Sequence, residues 1–277
     1  MRRAIFILSQ KGGSGKSTFS RALLDHLRRV RGLPVAAYDA DGQVGQLLQH
    51  YGARDARGGL LAPQDPLFGV ASFDLRQAAQ RGMVLDALDV PAPILLFDFP
   101  AGCLGDLGRV VGGGRGMAPL LDAFEAEGVR LTVVVVISNV QASTHNVLAA
   151  MEAFGDRVDY VVVKNCFYGQ PEDFLFFDGF TGADGLAYGG QAREALARRG
   201  GVVFALPALP GREYALCDLY SLGFTEAASY RALRRSERAT LAVFMQDFGQ
   251  EADRTAPLFG DVPDRPVAGS PRVETRP

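Results

Sequence analysis

Cysteine is scarce in this 277-residue chain, and the three present, Cys103, Cys166 and Cys217, stand far apart. No CxxC pair and no even framework occurs, so neither a disulfide scaffold nor a zinc site is indicated. Histidine is equally sparse. His26, His50 and His145 have no metal-ligand spacing and are expected on helix surfaces. Charge of one sign is also missing: 29 Lys and Arg face 31 Asp and Glu, a net charge of −2. That balance excludes a chain-wide basic signature for nucleic acid, though not a local patch. No uncharged run reaches the roughly 18 residues of a membrane span. The apolar run after Met1-Arg2-Arg3 ends at Ser9, Gln10 and Lys11, too soon for a signal peptide. A soluble, cytoplasmic protein without membrane attachment is the expectation.

What is present is a 48% hydrophobic chain, enough for one sizeable core. Short apolar runs alternate with helical spacings. Strands are expected at 4–8, 35–38, 70–73, 94–97, 131–137, 160–163 and 202–205. The run LTVVVVI at 131–137 is continuous, β-branched and uncharged, as a central parallel strand is. Helices are expected at 17–31, 74–88, 141–154, 191–199 and 225–248. This alternation predicts an α/β fold, a doubly wound, mostly parallel sheet with helices on both faces. Ligands in such sheets sit beyond the carboxyl ends of the strands. The glycine-rich stretch 102–116 is expected to be a mobile loop, and 168–190 an insertion with exposed aromatics. Residues 250–277 hold five of the fifteen prolines and read as a disordered tail after a domain spanning 1–249.

Behind the first strand stands Lys11-Gly12-Gly13-Ser14-Gly15-Lys16-Ser17-Thr18. Its glycines let backbone N–H groups turn toward phosphate oxygens, and the helix that follows adds its positive end. Lys16 is placed to reach the β- and γ-phosphates, and Ser17 to coordinate Mg²⁺. Further carboxylates fall where strands end: Asp39 and Asp41 after the second, Asp98 after the fourth. A carboxylate such as Asp98, at the end of a buried strand, needs a counter-charge, which Mg²⁺ supplies.

KGGSGKST resembles the deviant Walker A motif of the ParA/MinD ATPases, whose P-loop NTPase fold matches the expected architecture. The resemblance implies ATP and Mg²⁺ as ligands and a homodimer formed around ATP. It implies that Lys11 reaches the partner's nucleotide, that Asp39 and Asp98 serve the metal with Ser17, and that Asp41 positions the attacking water. DADGQ resembles the family's switch with Gly42 in place of proline, and DFPAG resembles its Walker B segment. Asn165 and Pro207 correspond to positions that contact the base. The NCFYG segment with its aromatic insertion is similar to TraL-type proteins of conjugative plasmids. Arg231, Arg234, Arg235 and Arg238 fall at helical spacing, a stripe suited to non-specific DNA contact. A slow, partner-stimulated ATPase switch binding DNA or a protein cargo is the leading expectation. The runner-up is a metabolic P-loop enzyme, such as an amidoligase or synthetase, with 168–190 as a substrate lid.

Overall fold

The computed structural model describes residues 2–9, 12–42, 45–112 and 114–260. Lys11 lies outside the described residues. Seven parallel strands form one sheet: β1 (Arg2–Leu8), β2 (Val35–Asp39), β3 (Ala71–Ser72), β4 (Ile94–Asp98), β5 (Val129–Ile137), β6 (Asp159–Asn165) and β9 (Val202–Leu206). Their order is β3-β2-β4-β1-β5-β6-β9. Each expected strand is present within a residue or two of its predicted ends. The β-branched run becomes β5, paired with β1 and β6.

Helices cover both faces, and the strand period of two sorts the core into two halves. Phe6 points to one side, where it packs edge-on against Phe97, Phe99 and Phe124. That side also buries Leu120 of α5 (Ala118–Ala126) and Val147 of α6 (Gln141–Phe154). Ile5 and Ile7 point to the other side, against α1 (Lys16–Asp25) and α11 (Arg235–Arg254). There Phe19 of α1 meets Phe204 of β9 and Phe248 of α11. α1 continues as a π-helical turn, His26–Val30.

Several expectations need correction. The helix expected at 74–88 is reduced to α3 (Met83–Asp86) and a short 3₁₀ turn, because 74–82 is taken up by turns. The glycine-rich loop contains a short helix, α4 (Leu104–Leu107). In the insertion, α7 (Leu175–Asp178) and a two-stranded hairpin, β7 (Phe180–Thr181) with β8 (Ala187–Tyr188), form. Phe174 and Phe177 there are buried, not exposed. They flank the Lys164 ammonium, which ion-pairs with Asp178 at 2.6 Å.

The helix expected at 225–248 is two helices. α10 (Phe224–Ser229) stops where Tyr230 becomes extended. α11 restarts after Arg234, whose extended backbone donates its N–H to Glu237 Oε2 at 2.8 Å. Arg231 and Arg234 therefore sit in the link, and Arg235 and Arg238 on α11, so the single four-arginine stripe does not form. α11 also runs past 249 to Arg254, and the 3₁₀ turn Ala256–Phe259 buries Phe259 against Phe19. The folded domain thus reaches Gly260 rather than ending at 249, and 261–277 lie outside the described residues. His26 and His50 are buried, and only His145 is on the surface.

Candidate nucleotide site

β1 is the pivot of the sheet, flanked by β4 and β5. The chain winds to β2 on one side after β1 and crosses to β5 on the other after β4. A crevice opens at the carboxyl end of such a reversal. Here it is a cavity of about 460 Å³ lined by the phosphate loop, Gly12 to Thr18, together with Asp41, Asn165 and Pro207. Sequence reasoning had named all of these. It had missed Gln46, Phe167, Tyr168, Leu209 and Tyr214, which also line the cavity.

Asp98 continues the period-two row Ile94, Leu96 on the α1 face, and Asp39 continues Val35, Ala37 beside it. β2 and β4 pair in register, Asp39 opposite Asp98. Both carboxylates are buried, at 0% and 1% exposure. The Lys16 ammonium bonds Asp98 Oδ1 at 2.5 Å and Ser17 Oγ at 3.4 Å. Burial works against the charge on Lys16, but Asp98 overrides it and holds the pKa above its usual value. Among the described residues, Asp39 has no such cation in contact. Its carboxylate accepts from the Leu48 N–H at 3.0 Å and the Asp41 N–H at 3.3 Å. Burial, then the Asp98 charge, pushes its pKa up to about 7. Neither Asp39 nor Asp98 is among the cavity-lining residues, and Asp98 meets the site through its bond to Lys16, which does line it.

Asp41 lines the cavity and is held by Arg76 Nη1 at 2.8 Å. Beyond Asp41 an open hollow of about 560 Å³ is lined by Ser72, Asp74, Arg76, Gln77 and Gln80. At the other end, Tyr214 of α9 (Gly211–Tyr220) donates its hydroxyl to Gln46 Oε1, which opens α2 (Gln46–Tyr51). Arg21, fully buried, lies under the Tyr214 ring and contacts His50, whose pKa burial and that guanidinium lower to about 4. Asn165 does not stand free: its Nδ2 donates to the Ser14 carbonyl at 2.8 Å.

Two features fit a phosphate chain. α1 begins without a side-chain cap, so its first N–H groups lack a partner from that source. Gly15 has φ +92°, and a Cβ there would stand 2.0 Å from Asn165 Nδ2, so only glycine admits this loop path. For Mg²⁺, the described residues offer no cluster of three or more His, Cys, Asp or Glu. Mg²⁺ beside nucleotide needs only one or two protein ligands with phosphates and water, which Ser17 and Asp98 can provide.

The family model described as the CobQ/CobB/MinD/ParA nucleotide binding domain matches residues 5–167, more than half the chain. The chain belongs to this family. Its described fold is that of the P-loop ATPases of ParA/MinD type. Solved structures with the same fold include a ParA family ATPase from Chlorobium tepidum, 13% identical, TM-score 0.53, covering 90% of this chain and 99% of that one. MinD from Pyrococcus horikoshii, complexed with Mg-ADP, is 16% identical, TM-score 0.51, covering 95% and 100%. MinD from Pyrococcus furiosus is 17% identical, TM-score 0.50, covering 92% and 100%. Among curated proteins no match is found. No helix among the described residues of this ParA/MinD-type domain is long and apolar enough to cross a membrane.

Proposed function

We propose that the protein is a slow ATPase switch, in which ATP with Mg²⁺ fills the cavity and brings two copies face to face. The observation that supports this most is the meeting, at one cavity, of the Lys16–Asp98 pair, the uncapped start of α1 and Asp41. Lys16 exchanges Asp98 for phosphate oxygens, and the N–H groups of Gly12 to Thr18 hold the chain of phosphates. Mg²⁺, held by Ser17 Oγ and Asp98 with Asp39 behind them, would neutralise charge on the phosphates. Asp41 orients the attacking water. Asn165 and Pro207 stand at the base end. By family resemblance, Lys11 crosses to the phosphates of the partner's nucleotide and stabilises charge in the transition state. Hydrolysis, stimulated by a partner, separates the copies and releases a protein or DNA cargo, in plasmid or chromosome partition, conjugation or cargo positioning. DNA contact would fall to the separate pairs Arg231 and Arg234, Arg235 and Arg238.

The test is solution mass with ATP and Mg²⁺, with ADP, and with neither, for wild type and Lys11→Ala. A doubling with ATP alone that Lys11→Ala abolishes supports the switch. A second reading, an ATP-using enzyme acting on a small polar substrate, is favoured by the hollow that shares Asp41 with the nucleotide cavity. A mass that never changes while ATP is bound selects that reading.

A further inference from the structure

The Gly12 and Gly13 positions of the phosphate loop stand in an open setting. Gly12 and Gly13 have no heavy atom within 4 Å of where a Cβ would stand, and Gly13 has φ +81°. Glycine peptides in so open a setting can rotate, and an N–H that rotates outward is lost to an anion. The segment that ends β6 and follows it reaches this loop with two donors. Tyr168 Oη donates to the Gly13 carbonyl. Asn165 Nδ2 donates to the next carbonyl, that of Ser14, at 2.8 Å. Two consecutive carbonyls are thus held by donors from one four-residue segment.

A planar trans peptide carries its C=O and the following N–H on opposite edges. Pinning the Gly13 and Ser14 carbonyls therefore directs the N–H groups of Ser14 and Gly15 away from the segment. Successive N–H groups presented together make an anion-binding nest. The segment is itself anchored. Asn165 Oδ1 accepts from the Phe167 N–H at 3.1 Å, and the Tyr168 carbonyl accepts from Asn139 Nδ2, just beyond β5, at 2.7 Å.

We infer that Tyr168 is a positioning residue for the phosphate loop, its hydroxyl fixing the Gly13–Ser14 peptide so that the Ser14 N–H faces a polyphosphate. This role rests on the nucleotide-binding reading above. It differs from a base contact, which the place of Tyr168 in the cavity wall would also permit, in what it does to a ligand that has no base.

The experiment is calorimetric titration of the full chain, wild type and Tyr168→Phe, with ATP and with inorganic tripolyphosphate, each with Mg²⁺. Phe keeps the ring and removes only the donor. Loss of one neutral hydrogen bond corresponds to a weakening of about fivefold to tenfold. The expected result is that factor for both ligands alike. Asn139→Ala, which frees the Tyr168 carbonyl, is expected to weaken both in the same proportion. Weakening of ATP alone overturns the role and makes Tyr168 a nucleoside contact. Unchanged affinity for both ligands, where wild type binds them, overturns it as well. Wild type that binds neither ligand overturns the nucleotide-binding reading itself, and this role with it.

Discussion

Lys16 Nζ and Asp98 Oδ1 stand 2.5 Å apart, both nearly sealed from solvent, with the Asp39 carboxyl on the neighbouring strand. Before any ligand binds, Lys16 is the cation that lets Asp98 be buried.

Lys16→Ala is therefore expected to do two things. It should abolish measurable ATP binding, since the loop loses its cation. It should also lower the stability of the ligand-free protein, because a buried carboxylate is left uncompensated. Breaking a buried pair from one side costs about 3–5 kcal/mol. Thermal melts of wild type and variant check this. No loss would show that Asp98 does not depend on Lys16.

Asp39 makes the stability of the unliganded wild type depend on pH. Its folded pKa, about 7, lies above the ordinary 3.8, because burial and then the Asp98 charge oppose ionisation. The folded state keeps this proton across that window while the unfolded state gives it up. Stability is thus highest below the lower value and falls as pH rises through the window. Asp39→Asn cannot ionise and should be more stable than wild type at about pH 8, by up to about 4 kcal/mol, with little difference at about pH 4. Denaturant midpoints across that range would expose a parallel shift, which this account does not allow.

The phosphate loop was legible because its chemistry is contiguous: strand, glycines, lysine and hydroxyl follow one another within Ile5 to Ser17. The strands were legible because parallel strands buried on both faces are unbroken apolar runs, as at 131–137. Asp98 could be found because it ends such a run. Tyr168, Tyr214 and Arg76 could not, since only the crossovers bring them to Gly13, Gln46 and Asp41. The α10–α11 break was hidden for another reason. Helical spacing continues through 225–248, and what interrupts it is the extended turn at Tyr230 and Glu237 capping the Arg234 N–H. Burial of His50 follows from its partners Arg21 and Asp218, 29 and 168 positions away, which no local pattern reveals.

The boundary of the domain can be tested by a single side chain. Phe259 is 1% exposed and packs on Phe19 and Phe204, and the Leu258 carbonyl accepts from Thr132 Oγ1 at 2.6 Å. Phe259→Ala should lower stability by about 3–5 kcal/mol, the cost of emptying a buried aromatic site. A residue in a solvated tail would show almost no change, and an unaltered melting temperature would return the boundary to 249.

Arg76 is the remaining group that meets a proposed catalytic carboxylate. It is half exposed, and its Nη1 donates to Asp41 Oδ1 at 2.8 Å. If Asp41 orients water, a guanidinium on the same oxygen draws away the charge needed to polarise it. Arg76→Ala should then raise basal ATP hydrolysis. Exposed pairs are worth at most about 1 kcal/mol, so the rise should not exceed about fivefold. The increase should disappear in Asp41→Asn, where there is no carboxylate to release. Steady-state hydrolysis by the two single variants and the double variant tests the coupling. A fall in rate with Arg76→Ala would mean that the arginine supports the transition state rather than restraining Asp41.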